Sequence, residues 1–216
     1  MSTEPMALLG LVELWQGRED ESLQTFEHLP IGKVLPVWRG WAASHQLLAM
    51  AYGEARDTLA FLDEHQSWLP IAGEPNRAGA WLLLPAMVEA LAMLGDRGRA
   101  AELYPLVGEL LRTGTVITSG SGLGLVEKTA GIAAAAGERW SDAEVHFERA
   151  RQQADEIPHR IDQADVPRWW AWMLLERDWP GDRDRARELL GHARGIYDEI
   201  GMPIHLKIAN ELLDRV

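Results

Sequence analysis

A spacing of 43 residues runs through this chain: Phe61, Tyr104, Phe147 and Leu190 stand at that constant interval. An alanine precedes the last three by four residues (Ala100, Ala143, Ala186), and a small apolar residue follows them by three (Val107, Ala150, Ala193). The phrase A-x3-[aromatic or Leu]-x2-[Ala or Val] puts its side chains on one helix face. There the small ones admit a neighbouring helix and the large one fills the gap. A period of this length marks stacked repeats, in which each unit buries its apolar face against the next. The phrase is a packing device and performs no reaction.

Punctuation between the phrases predicts helical hairpins. Ala80 to Leu94 is apolar nearly throughout, Gly95-Asp96-Arg97 breaks it, and Ala100 to Leu111 restarts with helical spacing. The same grammar gives Gly124 to Ala136, a break at Gly137-Glu138-Arg139, then Ser141 to Ala154; it recurs as Val166 to Leu175, a break at Trp179-Pro180-Gly181, then Asp184 to Ile200. Asp165 ahead of Val166-Pro167 reads as a helix start, with a capping carboxylate and a proline in the first turn. Two less regular units precede these, with Phe26 in the aromatic place only 35 residues before Phe61. The expected fold is all-α: one domain over 1–216, a solenoid of antiparallel hairpins at about 6–29, 36–66, 77–112, 120–155 and 165–200, closed by a cap helix at 203–215.

Composition bounds the function. With 216 residues and no cysteine, the chain needs neither disulfide nor metal to hold a core, and thiol chemistry is excluded. No stretch approaches the roughly 18 consecutive apolar residues of a membrane span, and Met1-Ser-Thr-Glu-Pro-Met lacks a basic signal start, so a cytoplasmic location is expected. The net charge is -12, and even the arginine-rich stretch from Arg139 to Arg194 holds more acids than bases. Nucleic acid, which demands a basic stripe, is not an expected partner.

With glycine at the turn and A-x3-[FYL]-x2-A on the second helix, the chain resembles the tetratricopeptide repeat, although that repeat is about 34 residues long. More narrowly, Arg185-Ala-Arg-Glu-Leu-Leu through Ile196-Tyr197-Asp-Glu-Ile-Gly201-Met202-Pro203 resembles the C-terminal repeat region of large bacterial signalling ATPases. These are the ATP-dependent regulators with a LuxR-type DNA-binding tail and the fusions of nucleotide cyclases with AAA-like modules. The resemblance, clearest from about residue 86 onward, implies a sensor or scaffold segment of a larger regulator. Within that group a similar repeat domain binds a sugar.

Residues with chemical potential are few. Gly122-Leu-Gly-Leu-Val-Glu127-Lys128-Thr129 is a near miss for a phosphate loop, because a carboxylate at Glu127 stands where a glycine must wrap the phosphates. None of the seven histidines pairs at metal spacing, and His159 near Asp162 and Asp165 reads as the cap of a turn. No metal, cofactor or catalytic residue is expected, and the chain is not expected to be an enzyme.

Tryptophan is the unusual resource, at 10 against 3 Tyr and 3 Phe. Trp38 and Trp81 are one period apart, and Trp41 and Trp170 three. Trp41 and Trp170 fall on the packing phase; Trp38 and Trp81 fit core or concave groove equally, and one of Trp169 and Trp170 should leave the main packing face. Arg39, Lys128 and Arg168 occupy the groove-facing phase in different repeats. The candidate binding set is therefore Trp38, Arg39, Trp81, Lys128, Arg168 and Trp169. Two functions follow: a non-catalytic module whose groove holds a protein or peptide, or a sensor whose tryptophans stack on a small molecule such as a sugar.

Overall fold

In a computed structural model, residues 3–29, 36–76, 78–118 and 124–216 are described, less the side chains of 3–5, 36–38 and 78. Among them every regular element is a helix, apart from an isolated antiparallel bridge between Ile117 and Leu125. In chain order these are α1 (Thr3–Trp15), α2 (Glu19–Glu27), α3 (Pro36–Tyr52), α4 (Thr58–His65), α5 (Ala78–Met93), α6 (Arg97–Glu102) and α7 (Tyr104–Arg112). There follow α8 (Val126–Ala136), α9 (Trp140–Glu156), α10 (Arg160–Arg177), α11 (Asp182–Ile200) and α12 (Pro203–Leu213). None is long and apolar enough to cross a membrane.

The repeat phrase does what its spacing demands. Ala100, Val107, Ala143, Ala150, Ala186, Ala193, Phe147 and Leu190 have no exposed surface. Phe147 lies on Gly131 of the preceding helix, where an added Cβ would meet the ring at 2.8 Å; Phe26 lies on Gly10 in the same way at 2.5 Å. Both pairs are 16 residues apart, so an absent side chain on one helix makes room for the aromatic on the next. Phe61 and Tyr104 are only half-buried, against the expectation that they fill the core. Phe61 stacks on His65 at 4.1 Å, and the Tyr104 hydroxyl reaches His146 Nε2 at 3.0 Å.

Two boundaries differ from the sequence reading. The helix expected over Ala100 to Leu111 is divided at Leu103, because Pro105 has no N–H for the preceding turn and opens α7 instead. Asp165 and Pro167 lie inside α10, which begins at Arg160. His159 serves as its N-cap and sets Nδ1 2.9 Å from the Asp162 carboxylate.

Each hairpin pairs its members, α1 with α2, α8 with α9 and α10 with α11, while the leading helices follow one another: α1 packs on α3, α3 on α5, α5 on α8, and α8 on α10. The sequence then returns on itself, because α12 packs on α11 and α10 and also touches α1. Residues from these six leading helices thereby meet at a common hub.

Candidate functional site

The hub is charged. Glu89 stands alone among the apolar residues of α5, Lys128 on α8, and Asp162, Asp165 and Arg168 on α10; all five are buried. Lys128 Nζ lies 2.9 Å from Asp162, 3.1 Å from Asp165 and 3.9 Å from Glu89. Arg168 donates through Nε to the Tyr197 hydroxyl at 3.0 Å and through Nη2 to the Tyr52 hydroxyl at 2.8 Å. Those hydroxyls donate onward, Tyr52 to Glu89 and Tyr197 to Asp165. Asp162 also accepts from the backbone N–H of Leu125, tying the start of α8 to α10. The network thus joins α3, α5, α8, α10 and α11 through charge-assisted bonds.

Its protonation follows from those partners. Burial by itself would lower the Lys128 ammonium, but Asp162, Asp165 and Glu89 outweigh it and hold the amine charged. Burial would likewise raise Asp165, and Lys128 and Arg168 reverse that, keeping the carboxyl far below the usual range. Burial raises both Tyr52 and Tyr197, with neighbouring carboxylates adding to it and Arg168 opposing, so both remain donors. His205 of α12 lies 4.4 Å from the Tyr52 ring, and burial pushes it down to about 3, so the imidazole is neutral at ordinary pH. Its Nδ1 has no partner. A small cavity of about 20 Å³, room for one water, lies between His205, Asp165, Lys128, Glu89 and Tyr52.

Tyr52 and Arg168 also face a larger space. A pocket of about 420 Å³ opens between α3, α5, α10 and α12, with Arg168 and Tyr52 lining it beside Trp169, Trp172, Met93 and Leu212. Trp169 and Trp172 meet edge to face at 5.3 Å, and the Arg168 guanidinium lies over the Trp169 ring at 4.7 Å. Glu54, Glu211 and Arg215 supply charge to its lining. Its size and aromatic walls suit a small organic molecule.

The six candidate residues do not form one ladder. Arg168 and Trp169 meet at this pocket, but both are 2% exposed, so the arginine belongs to the hub and does not stand on an open groove. Lys128, also 2% exposed, is turned inward because three carboxylates receive it. Arg39 is half-buried and lines a separate space of about 280 Å³ with Trp68, Ile71 and Asn76. Trp81 is half-buried against the larger apolar cluster, and the Trp38 side chain falls outside the described residues. Trp41 and Trp170 are in the core, as their phase predicts. Trp169 and Trp170 face apart, Trp169 to the 420 Å³ pocket and Trp170 to the Phe147 ring, and both are buried because α10 is flanked by α8, α9, α11 and α12. Residues 122 and 123 of the near-miss phosphate loop lie outside the described residues, and the amine of Lys128 already serves Asp162 and Asp165.

The hub residues Glu89, Tyr52, Tyr197 and His205 are not singled out from the sequence, and Asp162 reads there only as part of a turn cap. One signal was present: a single charge inside an apolar helix, as at Glu89, calls for a buried partner of opposite sign. Among the described residues no group of three His, Asp or Glu side chains has metal-holding geometry. Compared with known proteins, the chain matches no family model, no curated protein and no solved structure.

Proposed function

We propose that this chain is a non-catalytic ligand-sensing module, a tetratricopeptide-like solenoid acting as the regulatory segment of a larger bacterial signalling protein. The observation that carries the reading is the 420 Å³ pocket with Trp169 and Trp172 in its lining and the buried Arg168 beside them. A molecule bound there touches α3, α5, α10 and α12 together, so it biases how the second and third hairpins sit against the last hairpin and the closing helix. The hub groups support binding over chemistry. Each of its three acids faces Lys128 or Arg168, and a neutral His205 held at about 3 donates no proton near neutrality. The resemblance to LuxR-type and cyclase-linked regulators supplies the signalling context.

A second reading, a protein or peptide scaffold, draws on one observation: Leu8, Leu9 and Val12 of α1 are exposed together. A thermal-shift and tryptophan-emission screen separates the two. Metabolites that raise Tm and alter emission, with both effects lost in Trp172→Ala, support the sensor; a response confined to peptides and insensitive to Trp172→Ala replaces it with the scaffold.

A further inference from the structure

Packing is uneven around α12. Its N-terminal end is seated on two sides: Met202 donates its backbone N–H to the Tyr197 carbonyl of α11 at 2.9 Å, and Pro203 covers Gly17 just after α1, where an added Cβ would meet the proline ring at 2.6 Å. Beyond that end the helix lies over space. Ile204, Ile208 and Leu212, one face at four-residue steps, line openings of about 200 and 420 Å³ between α12 and the helices α3 and α5. His205 on the same helix lines the 20 Å³ cavity of the hub. Close-packed helices leave few such spaces, and a side chain facing one forfeits its dispersion contacts on that side.

Polar bonds do not compensate. Among the described residues, the side-chain hydrogen bonds that join α12 and its C-terminal tail to the rest of the chain lie on the surface: Lys207 to Glu54 at 3.1 Å, Arg215 to Glu176 at 2.7 Å, and Arg183 to the Arg215 carbonyl at 3.2 Å. Exposed pairs of this kind contribute little. His205, the buried polar residue of α12, has no partner at Nδ1. The helix is therefore supported by α11 and at its N-terminal end, while little holds its far end down, and local opening begins where contacts are sparse. Gly201, at a φ of 74° between α11 and α12, gives the turn the residue with the widest backbone freedom.

Resting on the sensor reading above, we infer that α12 is the lid of the ligand pocket: it rocks on α11 about the Gly201 turn, lifts from α3 and α5 to admit a molecule, and is held closed when the 420 Å³ space is filled. An occupant supplies the contacts that α12 lacks, so its binding shifts the lid toward the closed position.

Hydrogen exchange followed by NMR on the full chain tests the motion. Amides of residues 207–213 should open together, at least about tenfold more often than those of α10, and in urea well below the global transition. Glu54→Cys with Lys207→Cys, in a chain that has no other cysteine, puts two exposed thiols where the ion pair stood, and bismaleimidoethane joins them. The link should slow exchange by about tenfold along all of 207–213, including the residues beyond it. Ala55→Leu, which adds volume to the pocket lining from a half-buried turn, should slow α12 as an occupant would.

Simple fraying of the helix would quicken exchange residue by residue toward Leu213 and ignore the link, and that pattern overturns the inference. So does an α12 as protected as α10. A link that slows α12 while Ala55→Leu leaves it unchanged describes a hinge unconnected to the pocket, and refutes the lid as well. Metabolites that succeed in the screen above while α12 stays protected leave a sensor without this lid; an α12 that responds to both changes while the screen stays silent keeps the lid and refutes the sensor.

Discussion

His205 provides the sharpest test of the hub. Its ring is buried between Tyr52 and Tyr197, faces Asp165, Arg168 and Lys128, and is held down to about 3 instead of the ordinary 6.5. A depressed folded-state value means that the unfolded chain takes up a proton near 6.5 that the folded chain refuses. The contribution is fully present above pH 6.5 and is lost progressively as pH falls toward about 3. The loss amounts to about 1.4 kcal/mol per pH unit, so between pH 7.5 and pH 4.5 this one group removes roughly 2.7 kcal/mol. His205→Phe preserves the stack on Tyr52 and gives up two ring nitrogens, of which the buried Nδ1 has no partner. Urea unfolding of both proteins over that pH range isolates the effect, because the other six histidines are common to both. The wild type should lose roughly 2.7 kcal/mol more than the variant on going to pH 4.5. A stability difference that stays constant with pH would mean that His205 protonates freely and that the hub is open to water.

Lys128→Met should destabilise by about 3–5 kcal/mol, since it strands Asp162 and Asp165 without their shared cation; unfolding curves showing less than about 1 kcal/mol would place those charges in solvent. Phe147→Ala should cost about 3–5 kcal/mol, and Tyr104→Ala, at a half-buried position, distinctly less by the same measurement. Gly131→Ala, whose Cβ would press on the Phe147 ring at 2.8 Å, should cost about 1–3 kcal/mol; a neutral result would show that the ring moves aside freely. ATP with magnesium should leave Tm unchanged, because the Lys128 amine already bridges two carboxylates, and nucleotide-dependent stabilisation would contradict that assignment.

Much of the helical design was legible because packing is periodic. The alanines at 100, 143 and 186 and the large residues at 147 and 190 follow a 43-residue rule that any stacked hairpin must satisfy locally. The Gly10 with Phe26 and Gly131 with Phe147 pairs obey a second rule of the same kind, visible as a 16-residue spacing once the contact is known. Helix ends were less accessible. His159 displaced Asp165 as the start of α10, because a cap depends on which side chain the local turn brings to the free N–H groups.

The candidate site was legible only as a list of unusual residues. Sequence alone determined that the chain is helical and that Trp41 and Trp170 pack in the core, since both follow from spacing along a helix. Tertiary structure decided the groove assignments of Lys128 and Arg168. When α12 came back to touch α1, positions that an open array would turn to solvent were enclosed, and Lys128 and Arg168 became the counter-charges of Glu89, Asp162 and Asp165. Pairings such as Tyr52 with Arg168, 116 residues apart, come from that closure, and ion pairs across such distances leave no period for a sequence to display.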